Sequence, residues 1–146
     1  MPDVRITNAV IERKGARTAM IITKGFRDIL DIGNERRYDL FDLRLVFPSP
    51  LIPRNLRFEI EERISYTGEV ITPLESHNLE SLLKKVVAEH DVESLAVCLL
   101  HSYLNDMHEK RICGFIKEHI PGLYLSSSSE VFPFMREYDR FTTTTV

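Results

Sequence analysis

The sequence predicts an α/β fold with a mostly parallel sheet, crossover helices and a β-hairpin excursion. Three observations predict it. Two short, almost wholly apolar runs, Thr18–Thr23 and Glu93–Leu100, have the composition of strands buried on both faces. Helix-periodic segments stand before and after the second run, and such alternation calls for right-handed crossovers and parallel pairing. Between the two runs lies a segment that alternates apolar and charged residues and turns at Thr67-Gly68, the signature of a hairpin with one wet face.

The elements follow in order. Thr7 or Asn8 can cap a first short helix through Val10 and Ile11, with Gly15 where a helix C-terminal glycine belongs. Thr18–Thr23 is the first strand. Lys24-Gly25 turns the chain into Phe26–Ile32, with apolar positions 26, 29, 30 and 32, a short amphipathic helix. Residues 33–55 hold Arg36, Arg37, Arg44 and Arg54 among Tyr38, Phe41, Phe47, Pro48, Pro50 and Pro53, which reads as a long irregular loop of the kind that often carries function. Phe58, Ile60 and Ile64 alternate with charges, and Val70–Thr72 returns to complete the hairpin. Leu79, Leu82, Leu83, Val86 and Val87 recur at helical spacing, behind Ser76 or Asn78 as a cap. After the second strand, Asp106 and Glu109 have capping-box spacing, and Ile112, Phe115 and Ile116 line a helix that stops at Pro121-Gly122. Leu123–Leu125 is a third short strand. The chain closes on Arg136-Glu137-Tyr138-Asp139-Arg140 and a threonine run, a tail or the start of a further element.

The chain has 146 residues, enough for one domain that buries about two-thirds of its unfolded surface. Its 43% hydrophobic and 28% charged content is globular. A net charge of −3 argues against nucleic acid or an anionic membrane as partner, since both select a surplus of Lys and Arg. No window is long and apolar enough to span a bilayer. Cys98 and Cys113 lack CxxC spacing and read as reduced, buried thiols, which fits a cytoplasmic protein.

Motifs narrow the chemistry. The sequence contains no GxxxxGK, GxGxxG, HExxH or GxSxG. Three clusters are candidates. His101, Asn105 and His108 follow the second strand directly, where ligands collect in open α/β sheets; the histidines suit proton handling or a metal, or Asn105 or Asp106 caps the next helix while they bond to backbone. Two histidines and a carboxylate without fixed spacing give no strong metal signal, and none is assigned. Arg136, Glu137 and Arg140, with Thr142–Thr145, suit an anion or form a solvated, salt-bridged face. Arg36 and Arg37, in the loop beside Tyr38, could steer an anionic substrate, or the segment is an ordinary exposed loop.

Taken together, five ordered blocks resemble one family. Thr7-Asn-Ala-Val-Ile-Glu-Arg-Lys-Gly-Ala-Arg-Thr-Ala19, Thr23-Lys-Gly-Phe-Arg-Asp-Ile-Leu-Asp-Ile-Gly33, Tyr38-Asp-Leu-Phe-Asp-Leu43 with Pro50-Leu-Ile-Pro53, Val97-Cys-Leu-Leu-His-Ser-Tyr-Leu-Asn105 with His108-Glu109, and Ser126–Val131 with Arg136-Glu-Tyr-Asp-Arg140 resemble the hydantoinase A/5-oxoprolinase family. Relatives include acetone and acetophenone carboxylase subunits. The resemblance implies part of an actin/Hsp70-like ATPase fold. It implies ATP-dependent ring opening of a cyclic amide such as a hydantoin or 5-oxoproline, with ATP and Mg²⁺ in the complete enzyme and phosphorylation of the carbonyl oxygen before hydrolysis. It implies remaining domains or a companion hydantoinase-type subunit as partners. It places Arg36, Tyr38, His101, Asn105, His108, Arg136, Glu137 and Arg140 at a substrate pocket or domain interface, without naming a catalytic residue among them.

Two departures set the expectation for this chain alone. Family members open with a Gly-rich D-x-G-G-T-F-T-D segment and continue past the threonine run into V-N-A-Y and a large second domain. Residues 1–146 carry neither. The chain is therefore expected to be a single-domain fragment of the family's N-terminal domain, inactive and without bound nucleotide by itself. A non-catalytic assembly module, prone to self-association, and a piece of a carboxylase-type complex are the alternatives.

Overall fold

A computed structural model of the chain describes residues 15–33, 41, 44, 46, 48–89 and 91–146. The expected first helix up to residue 14, Arg36 and Tyr38 lie outside the described residues. Four strands form a parallel sheet in the order β2-β1-β5-β6: β1 (Thr18–Thr23), β2 (Arg57–Ile60), β5 (Ser94–Cys98) and β6 (Tyr124–Ser127). A separate antiparallel pair, β3 (Arg63–Ile64) and β4 (Val70–Thr72), makes the hairpin. The predicted fold class is the observed one.

The central strands are apolar for the reason the sequence suggested. Ala19 to Ile22 and Leu95 to Cys98 are each at most 1% exposed, because both faces of β1 and β5 are covered. Helix α2 (Ser76–Ala88) packs on β2 through Leu79, Leu82 and Val86, while Val87 turns outward. Helix α3 (Met107–His119) seats Ile112 and Ile116 against β5 and β6. The short helix α4 (Ser128–Val131) follows β6, and α5 (Glu137–Thr145) closes the core with Phe141.

Four local expectations are corrected. Phe58 to Ile64 is not one hairpin arm. Residues 57–60 instead add a parallel edge strand beside β1, and only Arg63 and Ile64 pair with β4. Alternation fixes which residues face inward but not which strand is the partner. Helix α2 begins at Ser76 itself, with Glu75 in the capping position and no side-chain cap. The Asp106/Glu109 capping box does not form. Asp106 pairs with Lys110 at 2.7 Å, and Glu109 turns into the protein. The threonine run is helix, not tail. Thr143 and Thr144 donate to carbonyls four residues back, of Asp139 and Arg140, and Thr145 donates to Thr142 O, so these hydroxyls serve their own helix rather than an anion.

The helix after β1 is shorter than expected, α1 (Ile29–Ile32), and its end depends on Gly33. Gly33 has φ +64° and ψ −159°, a region that only glycine occupies readily, and its N–H caps Ile29 O at 3.1 Å. A Cβ there would meet the Tyr138 ring at 3.7 Å, an ordinary contact, so the cost of substitution is conformational. Gly33→Ala is expected to lose about 1–3 kcal/mol of stability, measured by urea denaturation.

Arg57 anchors the same region. It is 2% exposed, yet it donates to Ile52 O at 3.0 Å and Arg27 O at 3.0 Å and forms an ion pair with Asp31 of α1. A buried arginine is tolerated because backbone carbonyls and a carboxylate satisfy its fork.

Candidate functional site

Because the four strands run parallel, their C-terminal ends share one edge, and that edge is where polar side chains enter the protein. Thr23 ends β1, Glu62 lies two residues past β2, Leu99 to His101 follow β5, and Ser128 follows β6. Thr23, Glu62, His101 and Ser128 stand at or shortly past strand ends, while Leu99 and Leu100 bring backbone groups to the same edge.

Two buried networks occupy the edge. In the first, His108 Nδ1 donates to Glu62 Oε2 at 2.7 Å, Thr23 Oγ1 donates to Glu62 Oε1, and Leu100 N donates to Thr23 Oγ1 at 3.0 Å. Glu62 is 3% and His108 3% exposed, so this is a desolvated pair held by a strand end. In the second, Glu109 accepts from Leu99 N at 2.9 Å, Ser128 Oγ at 2.6 Å and Ser129 N at 2.9 Å. Arg140, fully buried, donates to Ser128 Oγ at 3.2 Å, Leu99 O at 2.8 Å and Phe134 O at 2.7 Å. Its guanidinium also lies over the Tyr103 and Phe141 rings. Burial pulls the Arg140 pKa down, against Glu137 and Glu109, which favour the charge.

His101 sits at this edge with φ +57°, the left-handed region that bulky residues avoid. Its carbonyl accepts from Leu104 N at 3.0 Å and Asn105 N at 3.3 Å, which fixes the turn between β5 and α3. Asn105 ties that turn to the hairpin by donating to Gly68 O at 2.9 Å, and its Oδ1 accepts from Met107 N at 3.2 Å as α3 begins.

The candidates of the sequence thus separate by role. His101, Asn105, His108, Glu137 and Arg140 come together at the sheet edge. Arg136 is exposed at the start of α5, where its carbonyl accepts from Arg140 N. The histidines do not both bond to backbone: His108 bonds to a carboxylate. Sequence reasoning missed Thr23, Glu62 and Ser128, and it read Glu109 as a cap. For Thr23 the available signal was positional, a polar residue at the end of an apolar run; Glu62 and Ser128 follow charged or polar residues and carry no such signal. The thiols lie close to Glu109, and Cys98 also to Arg140, yet neither is reactive. Burial pushes Cys98 well up and Cys113 to about 11, so both are neutral thiols near pH 7.

Mg²⁺ takes oxygen ligands with free lone pairs. The oxygens of Glu62 and Glu109 already accept two and three hydrogen bonds from the protein. Both carboxylates are buried, and among the described residues no group of three or more His, Cys, Asp or Glu side chains is placed to hold a metal ion.

Residues 5–120 match the Hydantoinase/oxoprolinase N-terminal region family, most of the chain. The chain belongs to the hydantoinase/oxoprolinase family. It is 39% identical over 130 residues to an uncharacterized protein of Methanocaldococcus jannaschii, covering 89% of this chain and 19% of that one. To 5-oxoprolinase 1 of Arabidopsis thaliana it is 35% identical over 159 residues, covering 96% of this chain and 12% of that one. Among the solved structures that share its fold are two enzymes. One is nucleotide-free acetone carboxylase, at TM-score 0.84 and 26% identity, covering 94% of this chain and 21% of that one. The other is the ATP-dependent caprolactamase of Pseudomonas jessenii, at TM-score 0.83 and 30% identity, covering 94% and 20%. The matching caprolactamase sequence is its alpha subunit, 31% identical over 141 residues, covering 95% of this chain and 20% of that one. This chain spans about a fifth or less of the length of these hydantoinase/oxoprolinase relatives. No helix among the described residues is long and apolar enough to cross a membrane.

Proposed function

We propose that the chain is the N-terminal piece of an ATP-dependent enzyme that opens a cyclic amide, and that it does not turn over substrate alone. The observation that carries this reading is the likeness of nearly the whole chain to the ATP-dependent caprolactamase, together with the family match. A lactam ring is cleaved only with help at its carbonyl, and the sheet edge offers neutral and cationic donors in a partly dry setting. Glu62 and Glu109 hold that edge in shape, and the half-buried His101 stands at it. Nucleotide and Mg²⁺ belong, on this reading, to the rest of a longer enzyme or to a companion subunit, in the cytoplasm. Residues 1–146 act as one domain, with the 33–55 segment, and Arg36 and Tyr38 in it, bordering the substrate.

The isolated chain tests the second half of the reading. With ATP and hydantoin, 5-oxoproline or caprolactam, no substrate-dependent phosphate release is expected, and calorimetry is expected to show no micromolar ATP affinity. Turnover by the chain itself would overturn this.

A second reading, an assembly module, is favoured by one feature. Val131, Phe132, Phe134 and Met135 are each at least 36% exposed in one short segment beside Arg140. Light scattering that shows a strict monomer at high concentration counts against self-association through it.

A further inference from the structure

The two faces of the sheet are not covered alike. The β2–α2–β5 and β5–α3–β6 crossovers run in the same direction across the sheet, so right-handed connections put α2 and α3 on one face. The connection from β1 to β2 runs the opposite way and belongs to the other face. Register identifies the side chains of that second face. Thr18 pairs with Ser94, Met20 with Ala96, and Ala96 with Ser126, and partners in register point the same way. Ile22 and Cys98 continue the rows, and α5 lies over them, with the Thr144 hydroxyl against the Cys98 thiol.

The N-terminal half of this face is open among the described residues. A groove of about 700 Å³ lies over Thr18, Ser94, Ala96 and Ser126, walled by Ile52 and Leu56 beside β1 and by the last turn of α5 beside β5. A small-molecule site needs polar groups that converge on the ligand. Here the polar groups are turned to the protein. The Thr18 and Ser94 hydroxyls bond each other, and those of Thr144 and Thr145 bond carbonyls of α5. Arg17, at the mouth, pairs with Glu89 and Asp91. What the groove offers is shape, a floor of small residues between aliphatic walls. Parallel sheets are covered by helices on both faces, so this face calls for one more helix, and the small floor leaves room for its aliphatic side chains.

We propose that the groove receives an apolar helix from the remaining polypeptide of a longer enzyme, laid against β1 and β5 beside α5. The chain covers 21% of the acetone carboxylase chain and 20% of the caprolactamase chain whose fold it shares, so the larger part of such an enzyme is left to supply the cover. The source of the helix rests on the functional reading above. The need for a cover rests only on the open face.

Thiol labelling tests it. Ser126 is exposed on the groove floor, so Ser126→Cys places an accessible thiol there, and burial keeps native Cys98 and Cys113 from competing. The variant is labelled with N-ethylmaleimide as the isolated 146-residue chain and after exchange into the alpha subunit of the Pseudomonas jessenii caprolactamase, and the labelled peptide is read by mass. The expected result is rapid labelling of the isolated chain at every concentration, and labelling slower by about tenfold or more in the assembled exchange protein. Equal rates overturn the proposal. Slow labelling of the isolated chain overturns it too: a second copy is then the occupant if the rate depends on concentration, and the chain covers its own groove if it does not. Ser126→Trp, which fills the groove, is expected to leave the urea midpoint of the isolated chain unchanged and to prevent assembly of the exchange protein. Undiminished assembly overturns the proposal, as does an exchange protein that fails to assemble with Ser126 in place. The functional reading fails separately. A protected floor without ATP-dependent lactam opening keeps the docking and sinks that reading, and lactam opening with an unprotected floor does the reverse.

Discussion

Arg140→Ala is expected to lose about 3–5 kcal/mol of stability, a large share of what a domain of this size has. The substitution removes the donor to three acceptors at once, Leu99 O, Phe134 O and Ser128 Oγ, at a fully buried side chain. Leu99 O keeps only a long contact from Ser102 N at 3.5 Å, Ser128 Oγ keeps Ser102 Oγ at 3.1 Å, and the cavity left by the side chain adds to the lost charged hydrogen bonds. The Glu109 carboxylate also loses the positive charge one serine away. Arg140→Met restores volume but not the donors, and should recover only part of the loss. Arg140→Lys keeps the charge but cannot reach the same acceptors with a planar fork, so it should fall between native and Met. Urea midpoints with unchanged slope measure the series. A loss below about 1 kcal/mol for Ala would show that the network is not what joins α5 to the end of β5.

His108→Ala has the next largest expected effect, about 3–5 kcal/mol. It leaves the Glu62 carboxylate buried with Thr23 as its remaining partner. The informative comparison is the double variant Glu62→Leu/His108→Leu. Removing both side chains avoids the stranded carboxylate, so the double variant should be more stable than His108→Ala despite two changes. If instead the two single losses add, Glu62 and His108 act independently and the close contact between them carries little energy.

Much of the fold was legible because burial on both faces writes itself into composition. Ala19–Ile22 and Leu95–Cys98 could hardly be anything but central strands, and Leu79, Leu82 and Val86 mark the covered face of α2. The assignment of β2 was not legible. A four-residue alternating strand pairs equally well with a hairpin return or with the edge of a sheet, and the choice depends on Arg57 reaching Asp31 and Ile52 across the chain. The candidate site divided in the same way. Histidines just past an apolar run stand out, and His101 and His108 were found so. Thr23, Glu62 and Ser128 look like ordinary surface residues until three parallel strands bring them to one edge, and no local pattern encodes that meeting. Glu109 was seen but misread, because spacing from Asp106 matches a cap whether the side chain turns back to the helix end or inward to Leu99 N.

The decisive measurement is ATP-dependent ring opening of caprolactam by the Pseudomonas jessenii enzyme after this chain replaces the corresponding segment of its alpha subunit. If the chain is a working piece of such an enzyme, the exchanged protein assembles and opens caprolactam with phosphate release that depends on both ATP and lactam. A well-folded, assembled exchange protein with no lactam-dependent phosphate release would contradict the account.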